Sequence, residues 1–254
     1  MRHIELSVVI PVYNSQDSIS VVVENLLRQY TGSFEMEIIL VNDGSVDRSN
    51  EICLLLARQN SNVILLDLER NHGQQAAILK GLNIAQGDYI ALMDDDMQNP
   101  PEELIKLINK IHEGFDVVIG QRITYNQTIF RRFISHLNNL VINWLLRSEK
   151  RIYFSNFLIM KKFISAEILK KSVPNANIHG LIFQITKSIV NTPTEHKIRK
   201  NGKSNYTLFK LLKYWFNVLP YLTTRLTRVL LYVSLSLIAG GVIYLLISGV
   251  LSLL

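Results

Sequence analysis

The sequence predicts an α/β domain on a mostly parallel sheet, followed by amphipathic segments and an apolar C-terminal helix. Three observations carry this. Short apolar runs alternate with helical patterns over the first hundred residues, a polar cluster follows each run, and no charged residue occurs from Val229 to Leu254. Ser7 to Val12 reads as the first strand, and Ser18 to Gln29 as an amphipathic helix capped by Asp17 or Ser18. Glu37 to Asp43 is the second strand, with a helix from about Asp47 to Gln59 after Gly44-Ser45. Val63 to Asp67 is the third, Gly73 to Ala85 is helical, and Asp88 to Met93 is the fourth strand. Strands joined by helical crossovers make a parallel sheet, and such sheets bind ligands beyond the carboxyl ends of their strands. Tyr13-Asn14, Asn42-Asp43-Gly44-Ser45, Arg70-Asn71-His72-Gly73 and Asp94 to Gln98 therefore form one expected constellation.

Beyond Gly120-Gln121-Arg122 the pattern loosens. Gln127 to Leu146 reads as an amphipathic helix with Phe130, Phe133, Leu137, Leu140, Val141 and Trp144 in its stripe. Tyr206 to Tyr221 reads as an interfacial helix. The run from Val229 would span roughly 39 Å at ~1.5 Å per helical residue, enough to cross a bilayer with some tilt. The expected division is a catalytic domain over 1–205, an interfacial helix over 206–228 and a transmembrane helix over 229–254. Arg225 and Arg228 precede the span, so the positive-inside rule puts the large domain in the cytosol, at the cytoplasmic membrane. No signal-peptide pattern precedes the first strand.

The chain has 254 residues, a formal net charge of +6 and one cysteine, Cys53, in an apolar helical pattern that reads as core. Its basic residues gather in RRF at 131–133, RSEKR at 147–151, Lys161-Lys162 and KIRKNGK at 197–203. Interleaved with aromatic residues upstream of an apolar span, they suit anionic headgroups and phosphates better than nucleic acid. No GxGxxG follows a strand and no GxxxxGK[ST] occurs, which argues against dinucleotide dehydrogenases and P-loop NTPases.

The run Asp94-Asp95-Asp96-Met97-Gln98-Asn99-Pro100-Pro101 places three carboxylates where a buried strand gives way to a proline-marked turn. Such a cluster repels itself unless a cation or substrate needs it. Carboxylates with an amide oxygen suit Mg²⁺ or Mn²⁺, which also bind the diphosphate of an activated substrate. A solvated acidic turn is the alternative for these residues taken alone.

The stretches SVVIPVYN at 7–14, ILVNDGSVDRS at 39–49, RNHGQQAAILKGLNIAQGDYIALMDDDMQNPPEEL at 70–104, VVIGQR at 117–122 and IRKNGKSNYTLFKLL at 198–212 resemble the family 2 glycosyltransferases with a GT-A fold. They are most similar to the branch that includes dolichol-phosphate mannose synthase and bacterial undecaprenyl-phosphate sugar transferases. The resemblance implies that Pro11 and Tyr13 border the nucleotide base and that Asp43 binds it. Asp94 and Asp95 would flank the nucleotide sugar. Asp94, Asp96 and Gln98 would serve the metal and diphosphate, with Asp95, Asp96, Arg122 and Arg199 as the catalytic set. Arg122 and Arg199 would meet donor or acceptor phosphates, with Lys203 and Ser204 nearby. For Asp43-Gly44-Ser45 alone a turn and helix cap is the competing reading, and for Arg199 and Lys203 a solvated charge run. Ser15 stands where an acid is common, and Asn205 where a Lys often closes the last loop. The family's Asp-x-x-Ser-Gly-Phe stretch is here Ile152-Tyr153-Phe154-Ser155-Asn156-Phe157, without its acid and its Gly.

The expectation is therefore an inverting, membrane-anchored transfer of sugar from a nucleoside diphosphate to a polyprenyl phosphate, with Mg²⁺ or Mn²⁺ as cofactor. A homo-oligomer is left open. Transfer to a glycolipid or polysaccharide hydroxyl would need a base, for which Asp116, His136 and His179 are candidates by default, with a structural role the competing reading for both histidines. A non-catalytic lipid- or partner-binding module is the alternative of another class.

Overall fold

The apolar runs do become the central strands. In the computed structural model, which describes residues 3–122, 152–171, 177–196, 231–238 and 240–241, β1 (Leu6–Val12) and β2 (Met36–Asp43) are buried along their whole length. Burial on both faces is what a continuous apolar run requires of a parallel strand. β3 (Val63–Leu68), β4 (Tyr89–Leu92), β5 (Val117–Arg122), β6 (Leu158–Lys161) and β7 (Ile189–Thr194) complete a seven-stranded sheet of order β3-β2-β1-β4-β6-β5-β7. β1 pairs in parallel with β2 and β4, aligning Leu6 with both Met36 and Tyr89. β6 runs antiparallel to β4 and β5, and β7 is parallel to β5. The sheet is mostly parallel, as expected, with β6 the exception. β4 and β5 thus point the same way, and their carboxyl ends share an edge with those of β1 and β2.

Helices α1 (Ile19–Tyr30), α2 (Ser49–Gln59) and α3 (Gln74–Ile84) are the crossovers. A 3₁₀ turn at Pro101–Glu103 leads into α4 (Leu104–Ile111), and α5 (Lys162–Lys171) and α6 (Ile178–Ile185) follow β6. α1 buries Ile19, Val22, Val23, Leu26 and Tyr30, and α4 buries Leu104, Leu107, Ile108 and Ile111. This is the i, i+3, i+4, i+7 stripe of a helix laid on a sheet. Within the core, the Tyr30 hydroxyl donates to the Pro101 carbonyl at 2.8 Å and accepts the Ile105 N–H at 3.0 Å, tying α1 to the start of α4. Across the sheet, α3 lies so close to β1 that a Cβ on Gly81 would sit 2.4 Å from Val9 Cγ1. Cys53 is core, as expected, and burial pushes its thiol up to about 12.

At the amino ends of the strands, buried Glu37 closes the α3–β4 turn. Its Oε1 accepts the Ser7 hydroxyl at 2.5 Å and the Gln86 N–H at 2.6 Å, while Ser7 Oγ accepts the Gly87 N–H at 2.7 Å. These bonds fix where β4 starts, and so where the carboxylates at its far end emerge.

The chain falls into two compact units, Met1–Asn205 and Tyr206–Leu254. In the second, residues 231–238 and 240–241 are helical. Among the described residues no helix is long and apolar enough to cross a membrane. Most of the expected span over 229–254 lies outside the described residues, as do the expected helices over 127–146 and 206–221.

Candidate active site

In the order β3-β2-β1-β4, chain progression reverses between β1 and β4. This is a topological switch point, where diverging loops open a crevice. The structure brings the loops after β1 and β4 together there. The Tyr13 N–H donates to Asp95 Oδ2 at 3.1 Å, and the Ser15 hydroxyl donates to the same oxygen. Ser18 occupies the N-cap of α1 but makes no side-chain cap bond. Its hydroxyl instead donates to the Asp95 carbonyl at 2.6 Å. Asp95 thus ties two loops together, a role the sequence did not disclose. Where the resemblance led us to expect an acid, Ser15 supplies a donor, and a second carboxylate at this point would have repelled Asp95.

The loops after β1 and β2 are zipped in the same way. Asn14, in the left-handed region at φ 53, donates its N–H to Ser45 Oγ at 3.1 Å and accepts the Val46 N–H at 3.0 Å. The Ser15 N–H donates to Ser49 Oγ at 2.7 Å. Pro11 is buried inside β1, while Tyr13 is 48% exposed. Asp43 is buried, and its two oxygens accept the N–H groups of His72 and Gly73, each at 2.8 Å. It therefore shapes the loop after β3. Gly44, at φ +64, makes this possible: a Cβ there would lie 2.6 Å from the Arg70 carbonyl carbon and the Asn71 nitrogen.

Asp94 stands at the mouth of β4. Gln74 Nε2, from the first turn of α3, donates to its Oδ1 at 2.8 Å, and Asn156 Nδ2 approaches the same oxygen at 3.5 Å. Burial, then the charges of Asp96 and Asp95, push its carboxyl up to about 6 against these two donors. Burial also raises Asp95, against the Ser15 and Tyr13 bonds. Among the described residues neither forms an ion pair. Asp96 Oδ1 accepts the Gln98 N–H at 3.0 Å across Met97, which lies at φ 59. This tight turn keeps Asp96 and Gln98 together. Among the described residues no three His, Cys, Asp or Glu side chains form a ready metal cage. Two carboxylates and an amide at one turn do fit a hard divalent ion that takes its remaining ligands from phosphate oxygens and water.

Arg122, at the exposed end of β5, shares this sheet edge. Arg199, Lys203, Ser204 and His136 lie outside the described residues. Asp116 serves elsewhere: at the amino end of β5 it pairs with Lys161 Nζ at 3.0 Å and accepts the Thr186 hydroxyl at 2.7 Å. His179 is buried, which lowers its pKa, and its Nε2 lies 3.0 Å from the Ser155 carbonyl. Both are structural rather than bases at the crevice. Gln74, Asn156 and Gln75, whose Oε1 accepts the Ile178 N–H at 3.0 Å, had no sequence signal beyond their place in the quoted motifs.

Similar proteins bear on this geometry. The chain is 33% identical over 241 residues to an undecaprenyl-phosphate 4-deoxy-4-formamido-L-arabinose transferase of Photorhabdus laumondii, covering 93% of this chain and 74% of that protein. It is 35% identical over 231 residues to the enzyme of that name from Edwardsiella ictaluri, covering 89% and 70%. The fold is shared with glucosyl-3-phosphoglycerate synthase from Mycobacterium tuberculosis, solved with Mn²⁺, UDP-glucose and phosphoglyceric acid, at a TM-score of 0.65 and 16% identity over 86% of this chain and 78% of that one. A family model described as glycosyl transferase family 2 matches residues 7–170, a stretch that holds the crevice between β1 and β4 and the acidic run that follows β4, and the chain belongs to that family.

Proposed function

We propose that this glycosyltransferase moves a sugar from a nucleoside diphosphate to a polyprenyl phosphate at a membrane face. The observation that carries the reading is the Asp94-Asp95-Asp96 run at the switch point, where Asp94 has amide donors but, among the described residues, no ion pair. The similarity to undecaprenyl-phosphate 4-deoxy-4-formamido-L-arabinose transferases supports the acceptor.

Asp94, Asp96 and Gln98 would hold a divalent ion, whose charge offsets that of the departing diphosphate. Pro11, Tyr13 and the loop shaped by Asp43 would receive the base. Arg122 and, from the sequence pattern, Arg199, Lys203 and Ser204 would meet phosphate oxygens. A phosphate monoester has a second pKa near ~6, so the acceptor is largely dianionic at neutral pH and needs no strong base. The site agrees with this economy: the segment 152–157 contributes an amide, Asn156, where a hydroxyl acceptor would call for a carboxylate or an available histidine. In-line attack inverts the anomeric centre. We extend the reading to the apolar run from Val229 to Leu254, whose length and flanking Arg225 and Arg228 suit a membrane span with the catalytic unit on the cytosolic side.

The test is transfer of labelled sugar into chloroform-extractable lipid by the full chain, with undecaprenyl phosphate and Mg²⁺ or Mn²⁺. Donors would be UDP- and GDP-linked hexoses, N-acetylhexosamines and 4-deoxy-4-formamido-L-arabinose. Metal-dependent label that vanishes in Asp96→Ala is the expected result. Donor hydrolysis without labelled lipid would refute the acceptor.

A further inference from the structure

The segment 152–157 is held more tightly than its lack of regular structure suggests. Asn191 on β7 grips Tyr153 as a neighbouring strand would, accepting its N–H at 2.9 Å and donating to its carbonyl at 2.9 Å. His179 on α6 holds the Ser155 carbonyl through Nε2 at 3.0 Å, and its buried Nδ1 has no partner among the described residues. The neutral Nε2–H tautomer is the one that can make this bond. Phe154 packs edge-on against His179 and Phe183, with centroids 5.6 and 5.1 Å apart. Ser155 Oγ accepts the Phe157 N–H at 3.1 Å, and the Phe157 carbonyl accepts the Gly120 N–H at 2.8 Å.

Asn156 differs from these neighbours. Its side chain anchors nothing in the segment. Nδ2 makes one long approach, 3.5 Å, to an Asp94 oxygen already served by Gln74 at 2.8 Å. Its Oδ1 has no hydrogen-bond partner among the described residues. A half-buried carboxamide with unused capacity, on a backbone clamped on both sides, is preorganised for a ligand. Its position selects the ligand's chemistry. A carboxylate beside it disfavours an anion, and a carboxamide, which both donates and accepts, suits a neutral polar group.

Resting on the transferase reading above, we propose that Asn156 is a specificity-determining residue that hydrogen-bonds a ring hydroxyl or acylamino group of the donor sugar beside Asp94. The family pattern quoted above has Gly at this place, so this chain carries a sugar-reading group where that pattern has no side chain.

The experiment is calorimetric titration of the full chain in detergent with Mn²⁺, comparing UDP and GDP alone with the same donor panel, in wild type, Asn156→Ala and Asn156→Ser. The affinity each sugar adds over its bare nucleotide is the readout. In wild type one donor should lead. In Asn156→Ala its added affinity should fall about 10-fold, the usual scale for a lost neutral hydrogen bond, and the order of donors should change. Bare nucleotide binding should stay within about twofold. Asn156→Ser, which keeps a short polar group, should retain part of the preference and serves if Asn156→Ala does not fold. Hydroxyl and acylamino recognition separate on UDP-glucose and UDP-galactose against UDP-N-acetylglucosamine and the formamido sugar. An unchanged order and increment would overturn the proposal and leave the transferase reading intact. Equal loss of bare nucleotide and nucleotide sugar would overturn it too, reducing Asn156 to a support of Asp94. If wild type binds no donor, both readings fall.

Discussion

Replacing Asp94 with Asn should make the metal-free protein more stable at neutral pH while destroying its activity. In the folded chain the Asp94 carboxyl titrates at about 6, against 3.8 when unperturbed, because burial and then Asp96 and Asp95 oppose its charge. The folded state thus binds the proton more tightly than the unfolded one. The contribution of Asp94 to stability is greatest below pH 4 and is lost as pH rises through 6. At ~1.36 kcal/mol per pKa unit, two units set a ceiling of ~3 kcal/mol of destabilisation at pH 7.5. Asp94 is only partly shielded from solvent, so about 1–2 kcal/mol is the expected share. Asparagine keeps the oxygen that Gln74 Nε2 binds and removes the charge. For a domain of this size that corresponds to a Tm rise of about 2–8 °C. Thermal unfolding of wild type and Asp94→Asn in EDTA at pH 4.5 and 7.5 is the assay. The advantage of the variant should appear at pH 7.5 and shrink at pH 4.5. Mn²⁺ should raise the wild-type Tm more than that of the variant, reversing the gap. A variant less stable than wild type in EDTA at pH 7.5 would refute the argument that this crevice stores unrelieved charge.

Gly44→Ala should cost about 2–5 kcal/mol, adding the left-handed penalty to overlap with Arg70 and Asn71 backbone. Urea unfolding measures the loss, and weakened nucleotide binding by the survivors would follow from displacement of the loop held by Asp43. Tyr30→Phe strands the Ile105 N–H and the Pro101 carbonyl in the core, at about 1–3 kcal/mol. Because this bond lies away from the crevice, the urea midpoint should fall while donor KM stays unchanged.

The fold was legible where burial is symmetrical and lost where it is not. β1, β2 and β4 are continuous apolar runs, so their presence could be read from the sequence to within a residue. α2 was expected from about Asp47 and begins at Ser49, because the Asp47 carboxylate accepts the Ser49 N–H at 2.9 Å and the Gln16 N–H at 3.2 Å and so remains in the loop. β5, β6 and β7 were not anticipated as strands. β6 has only four residues. β7 carries Asn191, Thr192 and Pro193, a composition that reads as a loop. An edge strand, paired on one side only, tolerates that proline.

A parallel limit governed the site. The acids were visible because they are adjacent in the chain and because clustered charge has few structural explanations. What they do is decided by neutral groups far away in sequence: Gln74 stands 20 positions and Asn156 62 positions from Asp94, and Ser15 80 positions from Asp95. An amide or hydroxyl in isolation has no preferred reading, since each is at home in a turn, a cap or a solvated face. This is why the sequence did not disclose that Asp95 Oδ2 accepts both the Tyr13 N–H and the Ser15 hydroxyl, or that both Asp43 oxygens accept loop N–H groups, while the donor-binding roles expected of the two rest on the resemblance. In this crevice charge marks where the chemistry is proposed, and hydrogen-bond geometry divides the carboxylates: Asp43 and Asp95 accept backbone N–H and hydroxyl groups of neighbouring loops, while Asp94 is served, among the described residues, by the amides of Gln74 and Asn156.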